Sequence, residues 1–351
     1  MFQKTAYSAI GIDITSHGAK ALQFKRHNGF LSLHHASQLS FRDLDEGEME
    51  EALPKLLAAD QFKGKKVMLS LPSPLITTIP IKVSKKENES IDQAVLREAG
   101  NYLPFSLEGA IIDYLSTPII DQKQNFVLLI AAKRADILRH IDMVKKAGLE
   151  AAVIEPRYCS LFRTIQKALK KIFHDQFFIY LEEDATIIMA VVDGQILFVR
   201  EVSWGISRVR EKMERTLGLS PKRAQKVLQQ YGLEGENSDN QKGRKVGHLE
   251  VKELHQVIHE VINPILEELC HEIQKVLSYC SSIIQQRRPI DRALLLGQGV
   301  NIKSLAHFIQ QNLGINVMTW DSMEKREIIK EERPFFEIPL GLTLRDEQCL
   351  E

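Results

Sequence analysis

Two apolar hairpins, far apart in the chain and built alike, restrict the folds open to this sequence more than any other feature. The first covers residues 8–24, where the strand Ile10-Gly-Ile-Asp13-Ile turns through Thr15, Ser16 and His17 and returns through Lys20-Ala-Leu-Gln-Phe24. The second runs from Phe177-Phe-Ile-Tyr-Leu181 through Thr186-Ile-Ile-Met-Ala-Val-Val192 and turns at Asp193-Gly194 into Ile196-Leu-Phe-Val199. Asp-Gly between apolar runs predicts a two-residue hairpin turn, because both central residues of that turn need positive φ. Elsewhere short apolar strands alternate with helical periodicities, which predicts mixed α/β layers with sheets covered by helices. The echo of one hairpin in the other predicts two halves of similar construction rather than a tandem repeat.

Further elements follow from punctuation and period. A helical stretch is predicted over 48–60, then a strand at 66–71 closed by Pro72 and Pro74. Residues 75–150 are expected to form a compact insert. Its strand over 76–83 alternates like an exposed-face strand, and Pro80 in it argues for an edge position. Ser90 precedes a helix with Ile91, Ala94, Val95 and Ala99 on one stripe, two strands follow near 111–114 and 126–131, and Gly148 stops a second amphipathic helix. A strand at 151–155 leads into a helix over about 157–173. The second half continues with helical pattern over 206–231, a polar loop at 234–247 and a long helical pattern from about 250 to 288, which Pro264 is expected to kink or break. It ends with a buried strand at 293–297, a helix at 302–313 and a strand at 315–320.

Composition removes several classes of function. With 351 residues, 44% hydrophobic and 26% charged, the chain can bury a large core in two or more domains. Lys+Arg and Asp+Glu balance at 46 each, so no whole-chain field draws it to nucleic acid or anionic lipid, although a local basic patch stays open. Apolar runs such as Phe126 to Ala132 reach about seven residues, against roughly 20 for a membrane-crossing helix. No secretory leader is expected before Asp13. Cys159, Cys270, Cys280 and Cys349 are scattered without a Cys-x-x-Cys spacing, which suits a reduced cytoplasm. His255 and His259 stand four apart, a zinc spacing, but without a third ligand in view they are assigned to surface or packing. No Ser/His/Asp or Cys/His arrangement has local support.

Several strings then resemble one family in order and spacing. They are Gly11-Ile-Asp-Ile14 with Lys20-Ala, Leu71-Pro-Ser-Pro-Leu75, Glu98-Ala-x-x-Tyr-Leu-Pro-Phe105, Ala131-Ala-Lys133, Ala147-Gly-Leu-Glu150, Gly218-Leu-Ser220 and Leu340-Gly-Leu342. Over nearly the whole chain they resemble the type IV pilus assembly protein PilM, an actin-like family related to the cell-division protein FtsA. The resemblance implies an actin-like (ribonuclease H-like) α/β fold of two halves with mixed sheets flanked by helices. It divides the chain into subdomain 1A at 1–74, 151–174 and 335–351, an FtsA/PilM-type inserted subdomain 1C at 75–150, subdomain 2A at 175–205 and 289–334, and a helical subdomain 2B at 206–288. It also implies a cytoplasmic scaffold on the inner-membrane platform of a type IV pilus or type II secretion system, peripheral to the membrane through its partners. The implied partner is the cytoplasmic N-terminal peptide of a PilN-like bitopic membrane protein. A secretion or pilus ATPase, the platform protein and a second copy of the chain are further partners it allows, without nucleic acid or direct membrane insertion. Leu69, Leu71, Val95, Ala99 and Tyr102 are candidates for lining the peptide groove, with an ordinary core role as the alternative.

In the implied nucleotide site, two glycine-bearing turns offer backbone N–H groups to phosphates and an acid holds the metal's waters. The residual set is Asp13, Thr15, Ser16, Lys20, Gly297 and Gly299. Thr15 stands where the family carries glycine. In the second turn Tyr180 replaces the metal-side aspartate and Glu182 the glycine, while Glu183 and Asp184 add charge that repels phosphate. In the helix after Gly218-Leu-Ser220, Gln225 and Leu228 replace the pair that contacts the nucleoside. The expectation is a scaffold without efficient ATP binding, with no cofactor and no catalytic residue. The alternative is an ATP- and Mg-binding, slowly hydrolysing switch in the same machine. A sugar-kinase relative lacks a candidate catalytic aspartate.

Overall fold

The structure, a computed structural model, describes residues 6–15, 17–27, 30–41, 54, 56–57, 61–120, 125–169, 175–231, 245–246, 249–284, 289–320 and 336–348. The chain divides into two compact units, residues 1–173 with 325–351 and residues 174–324. In chain order the first unit contributes β1 (Ala6–Tyr7), β2 (Ile10–Thr15), β3 (Gly18–His27), β4 (Phe30–Ser40), β5 (Lys66–Leu71), β6 (Ile76–Val83), α1 (Ile91–Ala99), β7 (Ala110–Ile120), β8 (Asn125–Lys133), α2 (Arg134–Lys146), β9 (Glu150–Pro156) and α3 (Arg157–Leu169). The second contributes β10 (Gln176–Leu181), β11 (Thr186–Val192), β12 (Gln195–Val202), α4 (Ile206–Leu217), α5 (Pro221–Tyr231), β13 (Lys245–Val246), β14 (Leu249–Glu250), α6 (Val251–Ile283), β15 (Arg292–Gly297), α7 (Leu305–Leu313) and β16 (Asn316–Thr319). The chain then returns to the first unit as α8 (Glu337–Gln348).

The main sheet of the first unit has the order β1-β3-β2-β5-β9, with β4 also paired to β3. β2 runs antiparallel to β3 and parallel to β5, and β5 runs parallel to β9. A sheet covered on both faces needs strands that are apolar on both sides. That is the composition of the opening hairpin. Ile10, Ile12, Ile14, Ala19 and Ala21 join Val67, Leu69 and Val144 in one core. Leu22 and Phe24 face the other way, against Phe336, Leu340 and Leu344 of the C-terminal segment. The helix α8 lies so close that a Cβ at Gly11 would come within 2.3 Å of the Pro339 carbonyl oxygen, and one at Gly341 within 1.9 Å of that of Ser160.

Within the same unit, β6, β8 and β7 form a three-stranded antiparallel sheet with β6, the strand that carries Pro80, at its edge. Its helix α1 begins in a capping box. The Ser90 hydroxyl accepts from the Gln93 N–H, and the Gln93 side chain accepts from the Ser90 N–H at 3.0 Å. Ala94, Val95 and Ala99 pack on Ile81, Val83, Val127 and Leu129.

In the second unit the sheet order is β12-β11-β10-β15-β16, with the first three strands antiparallel and β10, β15 and β16 parallel. The turn between β11 and β12 is the expected one: Asp193 has φ 49° and Gly194 φ 73°. Of the kink or break expected at Pro264, the break does not occur. α6 continues through it for 33 residues. Ile262, Leu266, Leu269, Ile273 and Val276 are buried along one side, and that burial outweighs the roughly 3 kcal/mol that a mid-helix proline costs.

Candidate functional site

Asp13 lies two residues before the end of the opening strand, where the family resemblance calls for an acid beside the metal, and the side chain is buried at 2% exposure. Its carboxylate is already engaged. Arg157 Nε donates to Asp13 Oδ1 at 2.9 Å and Arg157 Nη2 to Oδ2 at 3.0 Å, and Arg157 is itself only 1% exposed. Ser70 Oγ donates to the same Oδ1 at 2.6 Å while accepting from the Ile14 N–H at 3.2 Å. The fork of the guanidinium matches both carboxylate oxygens, an arrangement both strong and geometrically specific. A metal-bound water would have to reach a carboxylate that is out of solvent and already accepts three hydrogen bonds. The carboxylate as placed does not fit the role of a metal-side acceptor.

The sequence reading missed Arg157. A usable signal was present: Arg157, Leu161 and Ile165 fall at i, i+4 and i+8, so the cation lies on the buried stripe of α3, together with Ser160 and Thr164.

The remaining first-turn residues serve the turn itself. Thr15 Oγ1 donates to the Gly18 carbonyl at 3.1 Å and accepts from the His17 N–H at 3.2 Å. Gly18 is needed for packing, since a Cβ there would lie 2.5 Å from the Leu39 carbonyl oxygen. Lys20 is half-buried and in register with Asp13 across the β2–β3 pair. Ser16 lies outside the described residues.

Gly297 and Gly299 belong to the second unit, where packing accounts for both. Gly297 has φ 71°, and a Cβ there would meet the Leu181 carbonyl oxygen at 2.6 Å and the Tyr180 ring at 3.0 Å. At Gly299 a Cβ would come within 2.7 Å of the Leu181 side chain. Tyr180 is therefore a buried spacer between strands. The acidic turn also differs from expectation. Glu183 is ion-paired with Arg210, and the carbonyls of Glu182 and Glu183 accept from the Ile206 and Ser207 N–H groups at 3.0 and 2.8 Å. The turn thus caps α4 with backbone oxygens, and the charge attributed to Glu183 as phosphate repulsion is partly neutralised. Gly205 permits this approach, because a Cβ there would lie 2.2 Å from the Glu183 carbonyl oxygen. In α5, Gln225 is exposed and Leu228 is buried beside Ala224 and Val227, so Leu228 serves the core and does not line a pocket.

The groove candidates need a correction. Leu69 is buried in the main-sheet core and Leu71 is buried as well, while Val95 and Ala99 are buried in the core of the insert. None of the four presents a surface that a peptide could touch. Tyr102, at 43% exposure, is the accessible member of the set. Sequence alone could not make this distinction, because groove and core draw on the same residue types.

The described cysteines are placed as protonated thiols. Burial pushes the thiols of Cys270 and Cys280 up to about 12, and that of Cys159 higher still. No group of three metal-ligating side chains exists among the described residues, and the side chains of His255 and His259 lie outside them. No described helix is long and apolar enough to cross a membrane.

Comparison with known proteins adds the family. The family model for type IV pilus assembly protein PilM matches residues 11–346. The chain belongs to the PilM family. Among solved structures it is similar to a PilM-PilN type IV pilus biogenesis complex, at 22% identity over 97% of this chain and 98% of that chain with a TM-score of 0.70. It is similar to the ethanolamine utilization protein EutJ from Carboxydothermus hydrogenoformans, at 11% identity over 97% and 90% of the two chains with a TM-score of 0.53. MreB5 of Spiroplasma citri bound to AMPPNP aligns at 11% identity over 99% and 98% with a TM-score of 0.52. The fold is actin-like, and PilM membership places the chain in type IV pilus assembly.

Proposed function

We propose that this PilM family member is a nucleotide-independent adaptor. It binds the cytoplasmic N-terminal peptide of a PilN-like membrane protein and so sits on the cytoplasmic face of the inner-membrane assembly platform. The observation that carries the nucleotide half of this reading is the Asp13–Arg157 pair. The acid that an actin-like site uses beside its metal is held at both oxygens by a resident cation. The packing of Gly297 against Tyr180 and the use of Glu182 and Glu183 as a helix cap support it from the second unit. The peptide half rests on PilM membership and on the likeness to a PilM-PilN complex. A short groove-lining set is not assigned, since four of its five candidates are core residues.

Two titrations on the full chain test the proposal. A fluorescent ATP analogue with magnesium is expected to show no saturable binding at micromolar protein; micromolar affinity would overturn the nucleotide half. A labelled peptide copying the N-terminal cytoplasmic tail of a PilN-like membrane protein from the same organism is expected to bind saturably, with ATP making no difference. No binding of that peptide would overturn the adaptor half.

A further inference from the structure

Charge is balanced over the whole chain but not over α4 and α5. Between Ile206 and Gln229 the sequence carries seven basic against two acidic side chains. On α4, Arg208, Lys212 and Arg215 fall at i, i+4 and i+7 and form one exposed stripe. On α5, Ala224, Val227 and Leu228 take the buried side. At about 100° per residue, the opposite side is formed by Lys222, Arg223, Gln225, Lys226 and Gln229, all exposed and without an acid among them.

Most of this charge has no internal use. Among the described residues Lys212, Lys222, Arg223 and Lys226 enter no ion pair. Arg208 and Arg215 have only exposed partners, Glu268 at 3.3 Å and Glu211 at 3.7 Å, which water screens. Arg210 belongs instead to the helix-capping turn through Glu183.

We propose that these two helices make an electrostatic contact with an anionic lipid surface. The exposed side chains of these two stripes include no aromatic ring on which nucleic-acid bases could stack and no large apolar anchor for a peptide. A plane of negative headgroups needs neither feature. It attracts each nearby Lys or Arg, and the attraction fades within a Debye length. The formal charge of zero over the whole chain means that the rest of the molecule is net negative, so such a contact would be short in range. Its biological use rests on the adaptor reading: a chain tethered to a membrane protein meets the bilayer at high effective concentration, so a weak face suffices to orient it.

The test uses the full chain and vesicles without any peptide, so its result is independent of peptide binding. Sedimentation with phosphatidylcholine vesicles containing about one third phosphatidylglycerol is expected to pull the protein down at low salt, with release as salt rises. Vesicles of phosphatidylcholine alone are expected to leave it in solution. Lys222→Gln, Arg223→Gln and Lys226→Gln together should weaken partitioning on the order of 100-fold with an unchanged melting temperature, since each cation contributes about fivefold. Replacing Lys222 and Lys226 by Arg should preserve it. The proposal fails if anionic vesicles do not bind the wild type, if the glutamine variant binds as well as wild type, or if a short DNA duplex is preferred to the vesicles.

Discussion

Arg157 holds Asp13 from the first turn of α3, and both charges are out of water. Such a pair contributes little net stability relative to a well-packed apolar pair, yet removing one partner leaves an uncompensated buried charge. Arg157→Leu is therefore expected to destabilise the fold by about 3–5 kcal/mol, and Asp13→Leu by a similar amount. The double substitution should lose far less than the sum, which urea unfolding in a double-mutant cycle reads directly. A cost below about 1 kcal/mol for Arg157→Leu would show that the carboxylate finds water or another partner, and the case for a resident cation would collapse. The pairing also marks a limit of sequence reading at this scale. Asp13 was legible from its place at the end of an apolar strand. Its partner lies 144 positions away and showed only as a cation on an apolar helical stripe.

Among the elements, α8 depends most on a few polar contacts. Arg163 Nη1 donates to the Gly341 carbonyl and Thr164 Oγ1 to the Glu337 carbonyl, at 2.7 and 2.6 Å. Beneath them Glu155 accepts from Ser160 and Arg163, both at 2.7 Å, and pairs with Arg345. Burial alone would raise the Glu155 pKa, but Arg163 first, then Ser160 and Arg345, hold it below the ordinary carboxylate value. A carboxylate lowered in the folded state adds stability that is fully present above its unfolded pKa of about 4.3 and is lost as pH falls through the folded value. Glu155→Gln should therefore flatten the acid limb of a stability–pH profile while lowering stability at neutral pH. An unaltered acid limb would remove Glu155 from this account. Gly341→Ala, whose methyl would meet the Ser160 carbonyl, is expected to cost about 3 kcal/mol, because a backbone atom cannot step aside as a side-chain tip can. Loss of near-UV signal from Phe24 and Phe336, which pack with Leu340, would accompany it. The hairpin turn at Asp193-Gly194, the edge strand with Pro80 and the helix start at Ser90 were legible because each rests on local backbone chemistry. The break allowed at Pro264 does not occur, because burial along α6 is a tertiary effect that overrides local propensity.

At the scale of the whole molecule, an actin-like fold shared with a protein at 11% identity shows how far the architecture is set by packing and how little by particular side chains. The glycines of this chain illustrate it: Gly297 and Gly299 keep their places because Tyr180 and Leu181 fill the space beside them, with no phosphate required to account for either. The buried hairpins and the mixed α/β layers could be read from periodicity, whereas the strand order could not, because it rests on pairings between strands distant in the chain. The state of the site could not, since a glycine retained for packing and one retained for phosphate are the same letter. Thermal unfolding separates the two. A ligand that binds only the folded chain raises the midpoint by mass action, by about 2.7 kcal/mol at one hundred times its dissociation constant. Saturating PilN-like peptide should therefore raise the melting temperature by several degrees, while millimolar ATP with magnesium leaves it in place. The same pair of scans on Arg157→Leu adds a control: a nucleotide-dependent rise confined to that variant would show that the guanidinium is what keeps Asp13 from a metal, whereas a rise in the wild type would mean that the site still works around it.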